Sequence, residues 1–198
     1  ITRVEQYFQK FGFGSEIRNP FFAGASGTIP NPDWKRKVFN DDWRLGDTYY
    51  TVIGQYGVQV TPLQILRGVA AIANKGTLVE PQIFSSDNFE PTTSKITGVD
   101  DWVWSVVQAG MRDAVLFGLA TGVNYDDIQI ASKTGTAEIG VRKDRVNAWH
   151  VGFFPYQNPK YAYVVFLASG IAGTRLGGNA VSRQFFDWLK VARSEIFQ

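Results

Sequence analysis

The chain has 198 residues, enough for one domain with a sizeable core and few for two. Apolar residues make up 44%, which argues against disorder, and a net charge of +2 is too small to point to nucleic acid or an anionic membrane surface. The absence of cysteine excludes disulfides and thiol catalysis, and a single histidine, His150, leaves a structural zinc site short of ligands.

The chain opens on a helix start. Thr2 and Glu5 read as a capping box with Ile1 as its staple, and Val4, Phe8 and Phe11 follow at helical spacing until Gly12 or Gly14. This abrupt opening leads us to expect a piece of a longer protein. From Ser15 to about Val60 no period is sustained, and Pro20, Pro30 and Pro32 punctuate a long loop. Trp34, Phe39, Trp43, Tyr49 and Tyr50 are expected to brace it. Lys35, Arg36 and Lys37, beside Asp33, Asp41 and Asp42, read as a solvated stretch of that loop.

Thr61-Pro62-Leu63-Gln64 is a strong helix start: Thr61 caps, Pro62 suits the first position and Gln64 reaches back. Leu63, Leu66, Ala70 and Ala73 form its stripe, and Gly76 closes it. Pro81-Gln82-Ile83-Phe84 is strand-like. Asp100 is expected to cap a further helix with Val103, Val106, Val107, Met111 and Ala114 on one face, ended by Gly118. Three strand-like runs follow, residues 128–138, 147–154 and 161–169, joined through Lys143-Asp144 and Asn158-Pro159 as an antiparallel meander. The apolar stretch at 161–172, broken by Ser169 and Gly170, is too short to span a bilayer, which takes about 20 residues. A last helix, 179–197, would pack Phe185, Phe186, Leu189, Ala192 and Ile196 on the sheet. The pairs Trp102/Trp104 and Phe153/Phe154 are expected in the core.

Ser132-Lys133-Thr134-Gly135-Thr136-Ala137-Glu138 lies on the first strand of the meander. Gly135 removes a side chain where a ligand backbone could lie along the strand. Thr136 can offer its hydroxyl to a carboxylate and its backbone N–H to a developing oxyanion. Lys133 places a positive charge beside them. Its two side-chain positions differ by three, so both can serve one site only through backbone at one of them or through a twist or bulge near Gly135. Lys-Thr-Gly is also one of the elements found in penicillin-binding proteins and serine β-lactamases. Ser86-Asp87-Asn88 spells another such element, but its place after the Thr61 helix reads as a surface turn. His150 reads as a packed strand histidine.

The order of several segments carries a resemblance. Phe11-Gly12-Phe13-Gly14, Ile29-Pro30-Asn31-Pro32-Asp33-Trp34-Lys35, Gly46-Asp47-Thr48, Ile53-Gly54-Gln55 with Thr61-Pro62-Leu63-Gln64, Lys133-Thr134-Gly135-Thr136 and Trp149-His150-Val151-Gly152-Phe153 appear in series. Residues 8–198 resemble the C-terminal part of the transpeptidase domain of class B penicillin-binding proteins, most of all penicillin-binding protein 2, the cell-elongation type. The pattern departs once, with Gly54-Gln55-Tyr56 where the family reads Gly-Gln-Gly. A second departure bears on activity: no serine here has a lysine three positions on, so the family's Ser-x-x-Lys nucleophile motif is absent from these residues.

The resemblance implies an α/β (α+β) fold of the β-lactamase/D,D-peptidase kind, an antiparallel sheet flanked by helices with its N-terminal strands missing, and residues 1–198 as the C-terminal portion of one transpeptidase domain. It implies Lys133 and Thr136 as catalytic, Thr136 through its backbone N–H in an oxyanion hole. Thr134, Gly135, Thr136 and Ala137 are implied in substrate binding, with no metal and no cofactor. The implied reaction is acyl transfer on peptidoglycan stem peptides, inhibited by β-lactams, with the chain inactive on its own. The implied partners are stem peptides, β-lactams, the rest of the domain and cell-elongation membrane proteins. The implied place is the extracytoplasmic face of the bacterial inner membrane, reached through an N-terminal anchor. A serine β-lactamase or β-lactam sensor, and a non-catalytic binding or scaffold piece, remain as alternatives.

Overall fold

The computed structural model describes residues 1–19, 22–82, 90–174 and 176–197. In chain order its elements are α1 (Thr2–Lys10), β1 (Arg18–Asn19), β2 (Phe22–Ala23), α2 (Pro32–Phe39), α3 (Leu45–Val52), α4 (Pro62–Ala73), β3 (Thr77–Val79), β4 (Thr93–Lys95), α5 (Asp101–Leu116), β5 (Ala131–Ile139), β6 (Arg145–Phe154), β7 (Tyr161–Ile171) and α6 (Gly178–Ala192). Single 3-10 turns precede β5 and follow α6. Ser86-Asp87-Asn88 and the Ile83-Phe84 half of the strand-like run lie outside the described residues.

β5, β6 and β7 form the expected antiparallel meander, with β6 in the centre. Side chains alternate across a strand, so β6 feeds two cores at once. Val151 and Phe153, with Ala131 and Ala162 beside them, pack on Val69 and Ala73 of α4 and Met111 of α5. Phe154, with Tyr163, packs on Phe186 and Leu189 of α6. Phe153 and Phe186 are fully buried, worth about 1.5–3 kcal/mol each. The result is an α/β arrangement, an antiparallel sheet flanked by helices on both faces.

Three helices turn a different face inward from the one expected, each with a polar residue buried in it. α4 buries Gln64, Arg67, Gly68, Val69, Ala71 and Ala73, while Leu63, Leu66 and Ala70 of the expected stripe are half-buried. α5 buries Trp104, Gln108, Met111 and Val115, while Val106, Val107 and Trp102 are exposed and Val103 and Ala114 are half-buried. Gln108 Nε2 donates to the carbonyls of Ile72 (2.8 Å) and Ala73 (3.1 Å), end-of-helix acceptors that α4 cannot satisfy internally. α6 buries Gly178, Ser182, Phe186 and Leu189, leaving Phe185 and Ala192 exposed. Ile196 meets the same core from the terminal 3-10 turn. Two caps also differ: α1 begins after Ile1, and Asp100 precedes α5, both without a side-chain cap bond. Glu5 instead accepts from Asn31 Nδ2 at 2.7 Å.

The stretch 15–60 is no continuous loop. Asn31 caps α2 by accepting from Trp34 N (2.8 Å), and Asp47 closes the start of α3 by accepting from Arg44 N (2.7 Å). Lys35 is 4% exposed, not solvated, and its Nζ meets Asp47 (2.7 Å) and Asp41 (3.1 Å). The Asp47 bond holds its ammonium above the ordinary lysine value against the opposing effect of burial. Trp34, Phe39 and Trp43 do brace the segment, all three around Tyr56 at 5.8, 6.4 and 5.9 Å. Tyr49 and Tyr50 do not; both are exposed. Tyr56 has a φ of 58°, a left-handed conformation that costs a non-glycine residue about 1–2 kcal/mol and that its aromatic cage offsets.

α4 ties these parts together. The expected Thr61/Gln64 capping box is present, with Gln64 N to Thr61 Oγ1 at 3.1 Å and Thr61 N to Gln64 Oε1 at 2.8 Å. Gln64 is fully buried because its Nε2 also serves the carbonyls of Ser15 (2.8 Å) and Ser26 (2.9 Å). One turn on, Arg67 forks onto both Glu80 oxygens (2.7 and 2.9 Å) and reaches Gly12 O (2.7 Å). Gly12 has to be glycine: its φ is 79°, and a Cβ there would meet Arg67 Nη2 at 1.9 Å.

On the α6 face of the sheet, His150 is fully buried. Its Nδ1 lies 2.6 Å from Ser182 Oγ and its Nε2 lies 3.1 Å from Ser132 Oγ. It is the packed strand histidine the sequence leads one to expect.

Two outcomes follow from these contacts. Gln64→Leu in the full-length protein removes two bonds to loop carbonyls and one to a backbone N–H from a buried site, so urea unfolding should show a loss of about 1–3 kcal/mol. Burial lowers the His150 value from 6.5 to about 4. The unfolded chain therefore binds the extra proton between those values, and stability is lost as pH falls through that window, by about 3 kcal/mol in all. Thermal unfolding of wild type against His150→Phe between pH 7 and 4 should show this slope vanish in the variant.

Candidate active site

Among the described residues β5 is an edge strand, paired with β6 alone. Its pairing is regular over nine residues, with Lys133 opposite Val151, Gly135 opposite Trp149 and Ala137 opposite Asn147. No bulge lies near Gly135; the register shift falls one strand over, between β6 and β7 at Val146/Ala148. There Asn147 Oδ1 accepts from Ser169 N (3.0 Å), and Ser169 takes a left-handed φ of 54°. The period of two along β5 is therefore unbroken. Lys133, Gly135 and Ala137 stand on the α4 face of the sheet, and Thr134 and Thr136 on the other.

All five residues nevertheless border one groove of about 510 Å³. They reach it because β5 is an edge: side chains approach from either face, and the backbone itself forms the rim. Lys133 Nζ donates to the carbonyl of Thr134 at 2.6 Å, so that carbonyl is open at the rim. In an antiparallel ladder a residue turns both its N–H and its C=O either to the partner strand or away from it. With Thr134 turned away, the two-residue repeat turns the N–H of Thr136 away from β6 as well. Lys133 and Thr136 are both exposed, and Thr134, Gly135 and Ala137 are half-buried.

The rest of the groove comes from residues that the sequence reading did not place there. Trp149 and Phe166, with ring centroids 4.1 Å apart and planes tilted by 33°, lie in the row of Gly135. A Cβ at Gly135 would touch Trp149 at 3.4 Å, so the glycine leaves the space over that ring open. Opposite β5 the wall is the segment after α3, with Ile53, Gly54, Gln55 and Val58. Trp149 could have been found from the alternation of the second strand, which puts it level with Gly135. Nothing local in 53–58 points to a groove wall; it faces β5 only through the tertiary ties of α3 and α4.

A second, apolar cavity of about 740 Å³ adjoins the groove, bounded by α1, α4, α5 and β6 through Tyr7, Phe11, Ile72, Val107, Met111 and Val151. Lys133 lines both spaces. The exposure of Val107, odd for a valine on a packed helix, belongs to this cavity. His150 does not reach either space. Among the described residues no cluster of His, Asp or Glu could hold a metal ion, and no helix is long and apolar enough to cross a membrane.

The comparisons with known proteins agree with one another. The family model described as penicillin binding protein transpeptidase domain matches residues 1–187. The peptidoglycan D,D-transpeptidase MrdA of Acinetobacter baumannii is 29% identical over 220 residues, spanning 98% of this chain and 32% of that protein. The crystal structure of Pseudomonas aeruginosa PBP2 in complex with WCK 5153 superposes with a TM-score of 0.74 at 31% identity, covering 96% of this chain and 44% of the other. The complex between PBP2 and MreC from Helicobacter pylori gives a TM-score of 0.79 at 28% identity, over 97% of this chain and 36% of that one. The chain thus spans about a third of the length of such relatives, and its sheet with helices on both faces is the fold they share. With a family model over nearly its whole length and a groove rimmed by Lys133-Thr134-Gly135-Thr136, the chain belongs to the penicillin-binding protein transpeptidase domain family.

Proposed function

We propose that residues 1–198 are the C-terminal portion of a D,D-transpeptidase domain of the penicillin-binding protein 2 type, and that the β5 groove is its substrate cleft. The observation that carries this is the open edge of β5, with Lys133 and the outward N–H of Thr136 on one rim. A stem peptide lies along that edge. The Thr134 and Thr136 backbones, Gly135 and Ala137 bind its main chain, and the Thr136 hydroxyl takes the terminal carboxylate. Lys133 supplies positive charge beside the reacting carbonyl.

The nucleophile is a serine hydroxyl from a Ser-x-x-Lys segment outside residues 1–198, and the apolar cavity next to Lys133 seats that segment. Its Oγ attacks the penultimate D-Ala carbonyl, and the Thr136 N–H stabilises the oxyanion. The C–N bond to the terminal D-Ala breaks as the amine takes a proton. The amine of a second stem then attacks the ester, forms the cross-link and returns the proton to the serine. A β-lactam opens on the same serine and stays as the acyl-enzyme. The work site is the outer face of the cytoplasmic membrane, reached through an anchor in the rest of the protein. Its partners include a cell-elongation membrane protein; the H. pylori PBP2 is solved as a complex with MreC.

Incubation with a fluorescent penicillin tests the reading. The full-length protein should give one stable adduct per molecule, and purified 1–198 none. Fast release of hydrolysed drug would instead identify a β-lactamase, and stoichiometric labelling of 1–198 would overturn the placement of the nucleophile. Thr136→Val keeps the backbone N–H and removes the hydroxyl from a charged partner. Stopped-flow acylation of that variant should be about 10- to 100-fold slower at an unchanged melting temperature.

A further inference from the structure

Under the groove floor, a line of buried polar side chains joins the catalytic rim to α6. Ser132, His150 and Ser182 are each fully buried and hydrogen-bonded in series, from β5 through β6 to the helix. A neutral imidazole has one donor and one acceptor nitrogen, so one serine hydroxyl must accept while the other donates. Burial keeps the ring neutral, with its value near 4.

The surroundings are shaped to this line. A Cβ on Gly152, which pairs with Ser132, would meet Ser132 Cβ at 2.9 Å and Tyr163 Cε1 at 2.8 Å. A Cβ on Gly178, in the first turn of α6, would meet both His150 Cβ and His150 N at 2.9 Å. Gly152 thus leaves room for Ser132 and Tyr163 beside it, and Gly178 lets the start of α6 close on the backbone and Cβ of His150. Tyr163 adds an edge-on ring at 5.6 Å, with its buried hydroxyl on the Ser132 side of the line.

Ser132 directly precedes Lys133. Fixing Ser132 on the α6 face fixes Lys133 on the groove face by the period of two. An edge strand has one neighbouring strand to hold it; Ala131 packs β5 on α4 and α5 from one face, and this line ties it to α6 from the other. We propose that His150 is a positioning residue: it holds Ser132, and through it the Lys133–Thr136 rim of β5, at the level set by α6. This role rests on the transpeptidase reading of the groove. It touches no substrate and moves no proton.

The test is stopped-flow acylation of the full-length protein by a fluorescent penicillin, resolving the pre-covalent binding constant from the acylation step. His150→Phe and Ser132→Ala should each slow the acylation step about tenfold with little change in binding, because the rim is displaced and not removed. The double variant should be no slower than the singles, since both cut the same line. His150→Gln, which keeps a donor and an acceptor, should recover part of the rate. Ser132→Ala deletes a single oxygen and carries the test if His150→Phe fails to fold. Variants that melt lower but acylate within about twofold of wild type would overturn the positioning role, as would losses that multiply in the double variant. A wild-type protein that takes no label fails the transpeptidase reading itself, a separate result.

Discussion

The two-residue repeat of β5 governs the arrangement around it. Ala131 and Ser132 are both fully buried, one against α4 and α5 and the other towards α6, and from there each side chain's destination is set. Lys133 falls to the cavity side and Thr134 to the other. Because the strand is an edge, this alternation does not split the chemical groups between two sites. It delivers side chains from both faces to a rim made of backbone. A slip of one residue would exchange the two sets and carry the Lys133 ammonium to the α6 face, where burial in the place of Ser132 is very costly.

The wall opposite β5 is held differently. Residues 53–60 hang on a two-way backbone bridge, Gln59 N to Thr28 O (2.9 Å) and Thr28 N to Gln59 O (2.8 Å), and the segment leading to Thr28 is tied through Ser26 to α4. That helix spends buried polar side chains, Gln64 and Arg67, on the carbonyls of Ser15, Ser26 and Gly12 and on Glu80. Each bond is worth about 1 kcal/mol net, but an unmet buried partner costs more than the bond gains. The loops are thus held less by attraction than by the penalty for leaving. The apolar cavity between α1, α4 and α5 adjoins the groove at Lys133, and Phe8 of α1, Val52 of α3 and Ile65 of α4 border both spaces.

What the sequence made legible was whatever obeyed a single period or a local chemical rule. The Thr61/Gln64 box needs four consecutive residues, and the meander needs alternating strands with turn residues between them. The Lys133–Thr136 rim could be placed on an edge of that meander before any contact was known. Legibility failed where polar groups are buried. Gln108 and Ser182 sit in the inward stripes of α5 and α6, and an apolar periodicity read around them selects the neighbouring face. Lys35 looked solvated because its partners Asp41 and Asp47 lie six and twelve positions away, beyond any helical spacing. The far wall of the groove was illegible for a similar reason: its place is fixed by long-range hydrogen bonds that leave no local pattern.

Tyr56 and Gly57 both sit in left-handed backbone, with φ of 58° and 81°. Trp34 covers the turn: it packs on the Tyr56 ring, and a Cβ at Gly57 would strike its own ring at 2.7 Å. The three positions therefore form an epistatic unit. While Trp34 stays, residue 57 must be glycine, and the tyrosine beside it can bear its strained backbone because the tryptophan meets its ring. Once the ring at 56 is lost, the reason to keep Trp34 weakens and with it the ban at 57. A change at one of the three positions is therefore better borne together with a change at another than alone.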